Sequence, residues 1–183
     1  DGEDLVVFDG NKGGARQSFQ SHFAGRFRNL GDARFHATAI NESGDVAFSG
    51  LLDGSEIIGL WKNENGRSES LSISRAALPH SASQIDLSPD SKIVVFGGRN
   101  PVGQQDVDLG LVSSWDPSSD AIRQVGLHKR PVRYLAISPN GKYAASRCGH
   151  IGSRLWDLTN PEHKATLNKP STAEHEAPCR LSR

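Results

Sequence analysis

Short apolar segments recur along the chain in pairs, and a polar turn separates the members of each pair. The three clearest copies are FHATAINESGDVAFSG at 35–50, SQIDLSPDSKIVVFGG at 83–98 and VRYLAISPNGKYAASRC at 132–148. Runs rich in Val, Ile, Phe and Ala predict strands, and their imperfect alternation is typical of strands buried on both faces. No stretch has convincing helical periodicity. The pattern therefore predicts an all-β meander.

The turn between the paired segments has a consistent chemistry. In SPNGK, Pro139 presets φ near the value that a turn needs, while Asn140 and Gly141 tolerate the conformations that reverse the chain. SPDSK and NESGD meet the same requirement with other turn residues. Aligned on this turn, Asn41, Ser88 and Ser138 lie 47 and 50 residues apart. A third apolar segment carries Trp at 20, 27 and 18 residues after these positions, which predicts a repeated multi-stranded unit.

The third unit resembles a WD repeat over about 127–167, in VRYLAIS, PNGK, YAAS and RLWD. The resemblance is moderate over 83–127 and weaker over 35–71. It implies a β-propeller-like array of four-stranded antiparallel blades. It also implies structural roles within the blades for a set of matching residues: Trp61, Trp115, His128, Ser146, Trp156 and Asp157.

Several positions depart from the WD pattern. Leu127 replaces the glycine that precedes the histidine, and the aspartate of the family's hydrogen-bond network falls near His150. Trp61 is followed by Lys62 instead of Asp, and Pro117 directly follows Trp115-Asp116, so that strand is expected to end there.

The repeats predict a single WD-like segment over 1–183. Three complete blades are expected at 35–80, 82–127 and 128–170, with a partial blade at 1–20 and the start of another at 177–183. Such an arc leaves apolar faces and strand edges open. We therefore expect the isolated chain either to associate with itself through its open blade edges or to be poorly stable.

Composition narrows the functions that this fold is expected to serve. The chain has 183 residues with 21 Lys+Arg and 21 Asp+Glu, so its formal charge is zero and a nucleic-acid partner is not expected. No apolar run approaches the ~20 residues that span a bilayer, so membrane insertion is not expected.

Two cysteines, Cys148 and Cys179, are too few for a disulfide framework, and whether they pair is left open. A cytoplasmic location is favoured, with the periplasm and the cell surface as alternatives.

The sequence has no recognisable catalytic or metal-binding motif. Nucleophile elbows, phosphate-binding glycine loops and zinc-protease motifs do not occur. Cys148-Gly149-His150 is the nearest approach to a metal pair, but a zinc site needs three or four ligands. No catalytic residue, metal or cofactor is predicted.

Basic residues cluster around the loop before the third unit. The loops before the first strand and between the second and third strands of a propeller blade share one rim, which here predicts a partner-binding site. Its residues are Arg99, Lys129, Arg130, Arg133, Tyr134 and Arg147.

These features favour a non-catalytic scaffold for protein–protein interaction, with a partner of unknown identity. Two alternatives stay open. SPDSKIVVFGG is also similar to propellers that accompany a hydrolase domain or belong to Tol-type periplasmic proteins. The unit at 35–71 is also similar to bacterial cell-surface repeats.

Overall fold

The computed structural model describes residues 6–7, 17–18, 34–52, 54–64, 67–74, 76–100, 109–149, 152–160 and 164–167. These residues form strands and turns, with no helix among them. The strands are β1 (Val6–Val7), β2 (Gln17–Ser18), β3 (Arg34–Ile40), β4 (Val46–Leu52), β5 (Ser55–Glu64), β6 (Arg67–Ile73), β7 (Gln84–Leu87), β8 (Val94–Arg99), β9 (Gly110–Asp116), β10 (Ala121–His128), β11 (Tyr134–Ile137), β12 (Tyr143–Arg147), β13 (Ser153–Asp157) and β14 (Lys164–Leu167).

The strands form antiparallel sheets in strict sequence order. The first four-stranded sheet contains β3–β6, the second β7–β10 and the third β11–β14, while β1 and β2 form a two-stranded sheet. The expectation of an all-β chain of four-stranded antiparallel units is thus confirmed. The expected start of a further unit at 177–183 lies outside the described residues, as does most of 1–20.

The turns between the first two strands of each sheet share one conformation. Gly44, Ser91 and Gly141 each lie three residues after the turn's first residue and have φ values of 81°, 55° and 69°. Each of these residues donates its backbone N–H to the carbonyl of that first residue, at 2.9–3.0 Å in the first two turns and 2.8 Å in the third. Glycine suits this left-handed position, whereas Ser91 adopts it against the steric preference of its side chain. Hydrogen bonds to Asn41 and Asp45, in the first turn of the first sheet, help to hold Ser91 in place.

Serine side chains complete two of these turns. Ser88 Oγ accepts the N–H of Ile93 at 3.0 Å, and Ser138 Oγ accepts the N–H of Tyr143 at 3.0 Å. In the first turn the strand resumes one residue earlier, because Asn41 N–H bonds to the carbonyl of Asp45 at 3.1 Å. The Ser-Pro-x-x-Lys turns are therefore interchangeable, and the Asn41 turn is a shorter variant.

The three tryptophans occupy one register position. Trp61 pairs with Val46, Trp115 with Val94 and Trp156 with Ala144. Each of these partners is the second-strand residue that also pairs with the last residue of the first strand. The connections between the strands therefore differ in length, while the strand register is the same in all three sheets.

Consecutive sheets pack face to face. One apolar cluster joins the first and second sheets, including Ile58, Leu60, Leu87, Val94 and Trp115. A second cluster joins the second and third sheets and includes Val95, Val112, Val125, Val132 and Trp156. Trp115 and Trp156 thus each point toward the preceding sheet. Trp61 lies on the equivalent face of the first sheet, in a third cluster with Val46, Phe48 and Ile57.

Polar contacts at the first turns and at the strands that lead into them align the sheets. Asn41 Nδ2 donates to Ser91 Oγ at 2.7 Å and to the carbonyl of Pro89 at 3.2 Å, while Ser91 Oγ donates to Asp45. Between the second and third sheets, Asp86 Oδ2 accepts the backbone N–H of Ile137 at 2.6 Å. Each sheet therefore presents its first turn on the same edge of the structure as its neighbour.

Candidate functional site

A buried histidine joins the second and third sheets. His128 ends β10, and its Nε2 lies 2.7 Å from Ser146 Oγ on β12. Trp156 on β13 donates its indole N–H to the same oxygen at 2.6 Å. The imidazole and indole rings meet edge to face, with centroids 5.7 Å apart. Three residues that the WD resemblance singles out are therefore in direct contact.

The protonation of this cluster follows from its hydrogen bonds. Burial, and secondarily the charge of Arg154, lowers the pKa of His128 from 6.5 to about 4. The imidazole is therefore neutral at pH 7. Because Ser146 Oγ already accepts the indole N–H, its hydroxyl proton is free to bond to His128 Nε2. The aspartate of the family's network has no counterpart within this cluster, and His150, near its expected position, lies outside the described residues.

The neighbouring strand fits closely against the cluster. A side-chain carbon on Gly126 would lie 2.1 Å from the Trp156 ring, so only glycine allows β10 to approach the indole. Arg154 lies with its guanidinium 5.8 Å from the centre of the Trp156 ring and donates to the carbonyl of Leu127. The ring is thus enclosed on several sides.

A second buried histidine, His80, has a related position that the sequence interpretation did not assign. Its Nδ1 donates to the carbonyl of Ser81 at 2.8 Å, which leaves Nε2 to accept the hydroxyl of Ser113 at 2.9 Å. The ring stacks on Phe96 with centroids 5.0 Å apart, and burial lowers the pKa of His80. The position of His80 in the sequence could have identified it, because His80 precedes Ser88 by eight residues and His128 precedes Ser138 by ten. His80 bonds to β9 instead of β8 because Phe96 stands where the third sheet has Ser146.

The other tryptophans differ in their polar contacts. Trp115 donates its indole N–H to Asp120 Oδ1 at 2.9 Å, within its own sheet. Trp61 Nε1 is buried and has no hydrogen-bond partner among the residues that the structure describes. Only Trp156 thus joins a histidine–serine pair.

Asp157 and Asp116 close the turns that follow the tryptophan strands. Asp157 Oδ1 accepts the N–H groups of Thr159 at 2.9 Å and Asn160 at 3.1 Å. Asp116 Oδ1 accepts the N–H of Ser118 at 2.8 Å, and the hydroxyl of Ser118 is the main cause of a lowered pKa for the Asp116 carboxyl. As the pattern predicts, β9 ends at Asp116, directly before Pro117.

The predicted rim residues lie along one edge of the second and third sheets, which we call the basic edge (Arg99, Lys129, Arg130, Arg133, Tyr134 and Arg147). The backbone joins its parts: Arg133 N–H donates to the carbonyl of Arg147 at 2.8 Å, and Val132 N–H to that of Gly98 at 3.4 Å. Arg99, Lys129, Arg130 and Arg133 are exposed. Arg147 is half-buried, with its guanidinium 5.8 Å from the centre of the Tyr134 ring and its Nε donating to the carbonyl of Gly149.

Acidic residues prevail at the opposite ends of these strands and in the first turn of the first sheet. This acidic edge carries Glu42, Asp90, Asp116 and Asp157, with Lys92 and Lys142 between them. Asp90 pairs with Lys92 at 3.2 Å. Among the residues that the structure describes, these two edges therefore differ in the sign of their charge.

The described residues contain no group of three His, Cys, Asp or Glu side chains placed to hold a metal ion. Cys148 is buried, while Cys179 lies outside the described part of the chain. Within the described ranges, no helix has the length and apolar character to cross a membrane.

The chain matches no family model, and no curated protein matches it.

Proposed function

We propose that this chain is a non-catalytic module that binds protein partners, and that its sheets are blades of a WD-type β-propeller arrangement. The observation that carries the function is the basic edge, where four exposed cationic side chains and an arginine–tyrosine pair lie together at the ends of two stacked sheets. Arginine and tyrosine are enriched at the energetic centres of protein interfaces.

The packing between sheets supports the propeller arrangement. Wherever the backbones of consecutive sheets come close over several residues, at least one of the two strands is the first strand of its sheet. The contacts of β3 with β7 and of β7 with β11 are examples. Farther from the first strands, a whole indole fills the space between sheets, as Trp156 does against Gly126 on β10. Sheets that are closest at their first strands and separated by large side chains farther out are typical of blades around an axis.

The burial of the histidine–serine pair supports a structural role over a catalytic one. His128 is 2% exposed and Ser146 is 0% exposed, so no substrate reaches the hydroxyl. The indole N–H of Trp156 also occupies Ser146 Oγ. A nucleophilic serine needs both access and a free position for attack.

Charge reversal on the two edges tests the proposed function. Arg130→Glu together with Arg133→Glu changes two exposed residues of the basic edge, and Lys92→Glu together with Lys142→Glu is the matched control on the acidic edge. Proteins captured from the source cells by the unaltered chain are quantified with each double variant. We expect the basic-edge variant to reduce capture at least ~10-fold, as hot-spot losses do, and the control to retain it. Equal retention by both variants would refute the site.

A further inference from the structure

The loop between β10 and β11 holds three cations of the basic edge on a buried support. His128 at its start is 2% exposed, and Val132 near its end is 1% exposed and packs in the cluster between the second and third sheets. With these two side chains buried, the loop exposes the charged side chains of Lys129, Arg130 and Arg133. The loop therefore presents three positive charges within five residues.

Backbone contacts place two of these cations beside different sheets. The carbonyl oxygen of Arg130 lies so close to the start of β9 that a side-chain carbon on Gly110 would be 2.2 Å away. Arg133 donates its N–H to the carbonyl of Arg147, at the end of β12, at 2.8 Å. Arg130 thus lies beside the second sheet and Arg133 beside the third. Because packing and hydrogen bonds already fix the backbone of this loop, a partner that binds here does not have to order it.

The three cations of the loop have no counter-ion among the residues that the structure describes. The ion pairs found there join His36 to Glu56 and Lys92 to Asp90. Lys92, on the acidic edge, therefore has a local counter-ion, whereas no described carboxylate pairs with the loop cations. The positive charge of the loop is thus available to a partner.

The sequence limits how far the connection between β8 and β9 can compensate this charge. Asn100 donates its N–H to the carbonyl of Leu109 at 2.8 Å, so the connection at 101–108 leaves and rejoins the basic edge at one place. The connection lies outside the described residues, and its charged residues are Asp106 and Asp108. The basic edge has five cationic side chains, so it keeps a positive charge whatever these two carboxylates contact.

We propose that the basic edge binds an acidic segment of a partner protein, whose side-chain carboxylates bind Arg130 and Arg133. This inference rests on the proposed function and names the chemistry of the partner. A guanidinium group binds a carboxylate through two parallel hydrogen bonds. Packed sheets lie about 10 Å apart and an extended chain advances ~3.3 Å per residue, so carboxylates about three residues apart reach both arginines. Complementary charge of this kind speeds association and selects acidic partners.

The extent of the positive surface favours a peptide over a nucleic acid. The exposed cations of the basic edge are Arg99, Lys129, Arg130 and Arg133. Proteins that bind duplex nucleic acid tightly through its backbone make about 6–10 phosphate contacts, which is more than this edge supplies. A short run of carboxylates needs only the charges that are present.

Fluorescence anisotropy with defined peptides tests the proposal. The probe is a labelled peptide with consecutive glutamates between glycines, and the comparison peptide has glutamine in place of each glutamate. At about 50 mM NaCl, where screening is weak, we expect the unaltered chain to bind the glutamate peptide at least ~10-fold more tightly than the glutamine peptide. Equal affinity for the two peptides would overturn the proposal.

Charge-reversal variants locate the binding. Arg130→Glu together with Arg133→Glu is expected to weaken glutamate-peptide binding at least ~10-fold, and Lys92→Glu together with Lys142→Glu to change it less than ~2-fold. Both double variants change the net charge equally, so a difference between them reports the position of the site. Circular dichroism establishes that both are folded. Equal losses in the two variants would overturn the assignment, as would tighter binding of a single-stranded oligonucleotide that the basic-edge variant abolishes.

The peptide assay and the capture assay fail independently. Loss of captured proteins on basic-edge reversal, with no binding of the glutamate peptide, would refute the acidic segment and leave the proposed function standing. Binding of the glutamate peptide, with capture undiminished in the basic-edge variant, would refute the proposed function, because the captured partners would then dock elsewhere.

Discussion

The third and first sheets place a tryptophan at the same register position but surround it differently. Trp156 lies opposite Ala144 and donates its indole N–H to Ser146, which also contacts His128. Trp61 lies opposite Val46, and its buried N–H has no partner in the described part of the chain.

The comparison shows that placing the indole ring and providing a partner for its N–H are separate structural requirements. Strand pairing and an apolar face suffice to place the indole ring. A partner for its N–H depends on the second strand, which has Ser146 in the third sheet and Phe48 at the corresponding position in the first. Phe48 fills its site by packing across Gly59, where a side-chain carbon would lie 2.2 Å from the Phe48 ring. This position on the second strand can therefore hold either a serine that accepts the indole N–H or a phenylalanine that packs across a glycine.

The largest expected effect is the loss of the Trp156 ring. Trp156→Ala removes a side chain that is buried against Gly126 and His128, and we expect the free energy of unfolding to fall by about 3–5 kcal/mol. Urea denaturation near pH 7 measures the change. A loss below about 1 kcal/mol would contradict the central position of this ring between the second and third sheets.

Acidification is expected to have a smaller but substantial effect. His128 has a pKa of about 4 in the folded chain and an ordinary value of 6.5, so the unfolded chain binds a proton first as the pH falls. Stability is therefore full above about pH 6.5 and declines toward pH 4. This group alone is expected to remove about 2 kcal/mol by pH 5.

Two other titratable groups, the buried His80 and the half-buried Asp86, modify this pH dependence. The lowered pKa of His80 acts in the same direction, whereas burial raises the pKa of Asp86 and opposes it at the acidic end. Unfolding free energies measured between pH 7 and pH 5 test the prediction, with His128→Gln as the comparison chain. In that variant, the slope of the unfolding free energy against pH is expected to decrease by an amount equivalent to the uptake of up to one proton on unfolding. Identical slopes would show that His128 is not the titrating group.

The smallest expected change in stability comes from replacing Trp156 or Trp61 by phenylalanine, and it differs most clearly between these two positions. Trp→Phe keeps an aromatic ring and removes the N–H. At Trp156 the change leaves Ser146 without its donor, and we expect a loss of about 1–2 kcal/mol. At Trp61 it removes a buried N–H that lacks a described partner, which offsets the smaller ring, so the change is expected to stay within about 0.5 kcal/mol. Equal losses in urea denaturation would show that the polar environments do not matter.

The sequence by itself determined the strands, their order and their turns. Apolar runs and turn residues act over a few positions, so the three turns at Asn41, Ser88 and Ser138 and the end of β9 before Pro117 could be predicted. The basic edge was also predictable, because neighbouring strand ends in a meander return to the same side.

Only the tertiary structure decided what meets across the sheets. The pairing of His80 with Ser113, the contact of Asp86 with Ile137 and the exposure of Ile40 depend on residues that are brought together by packing between units. No local pattern encodes these contacts, because each depends on the distance and alignment of two sheets.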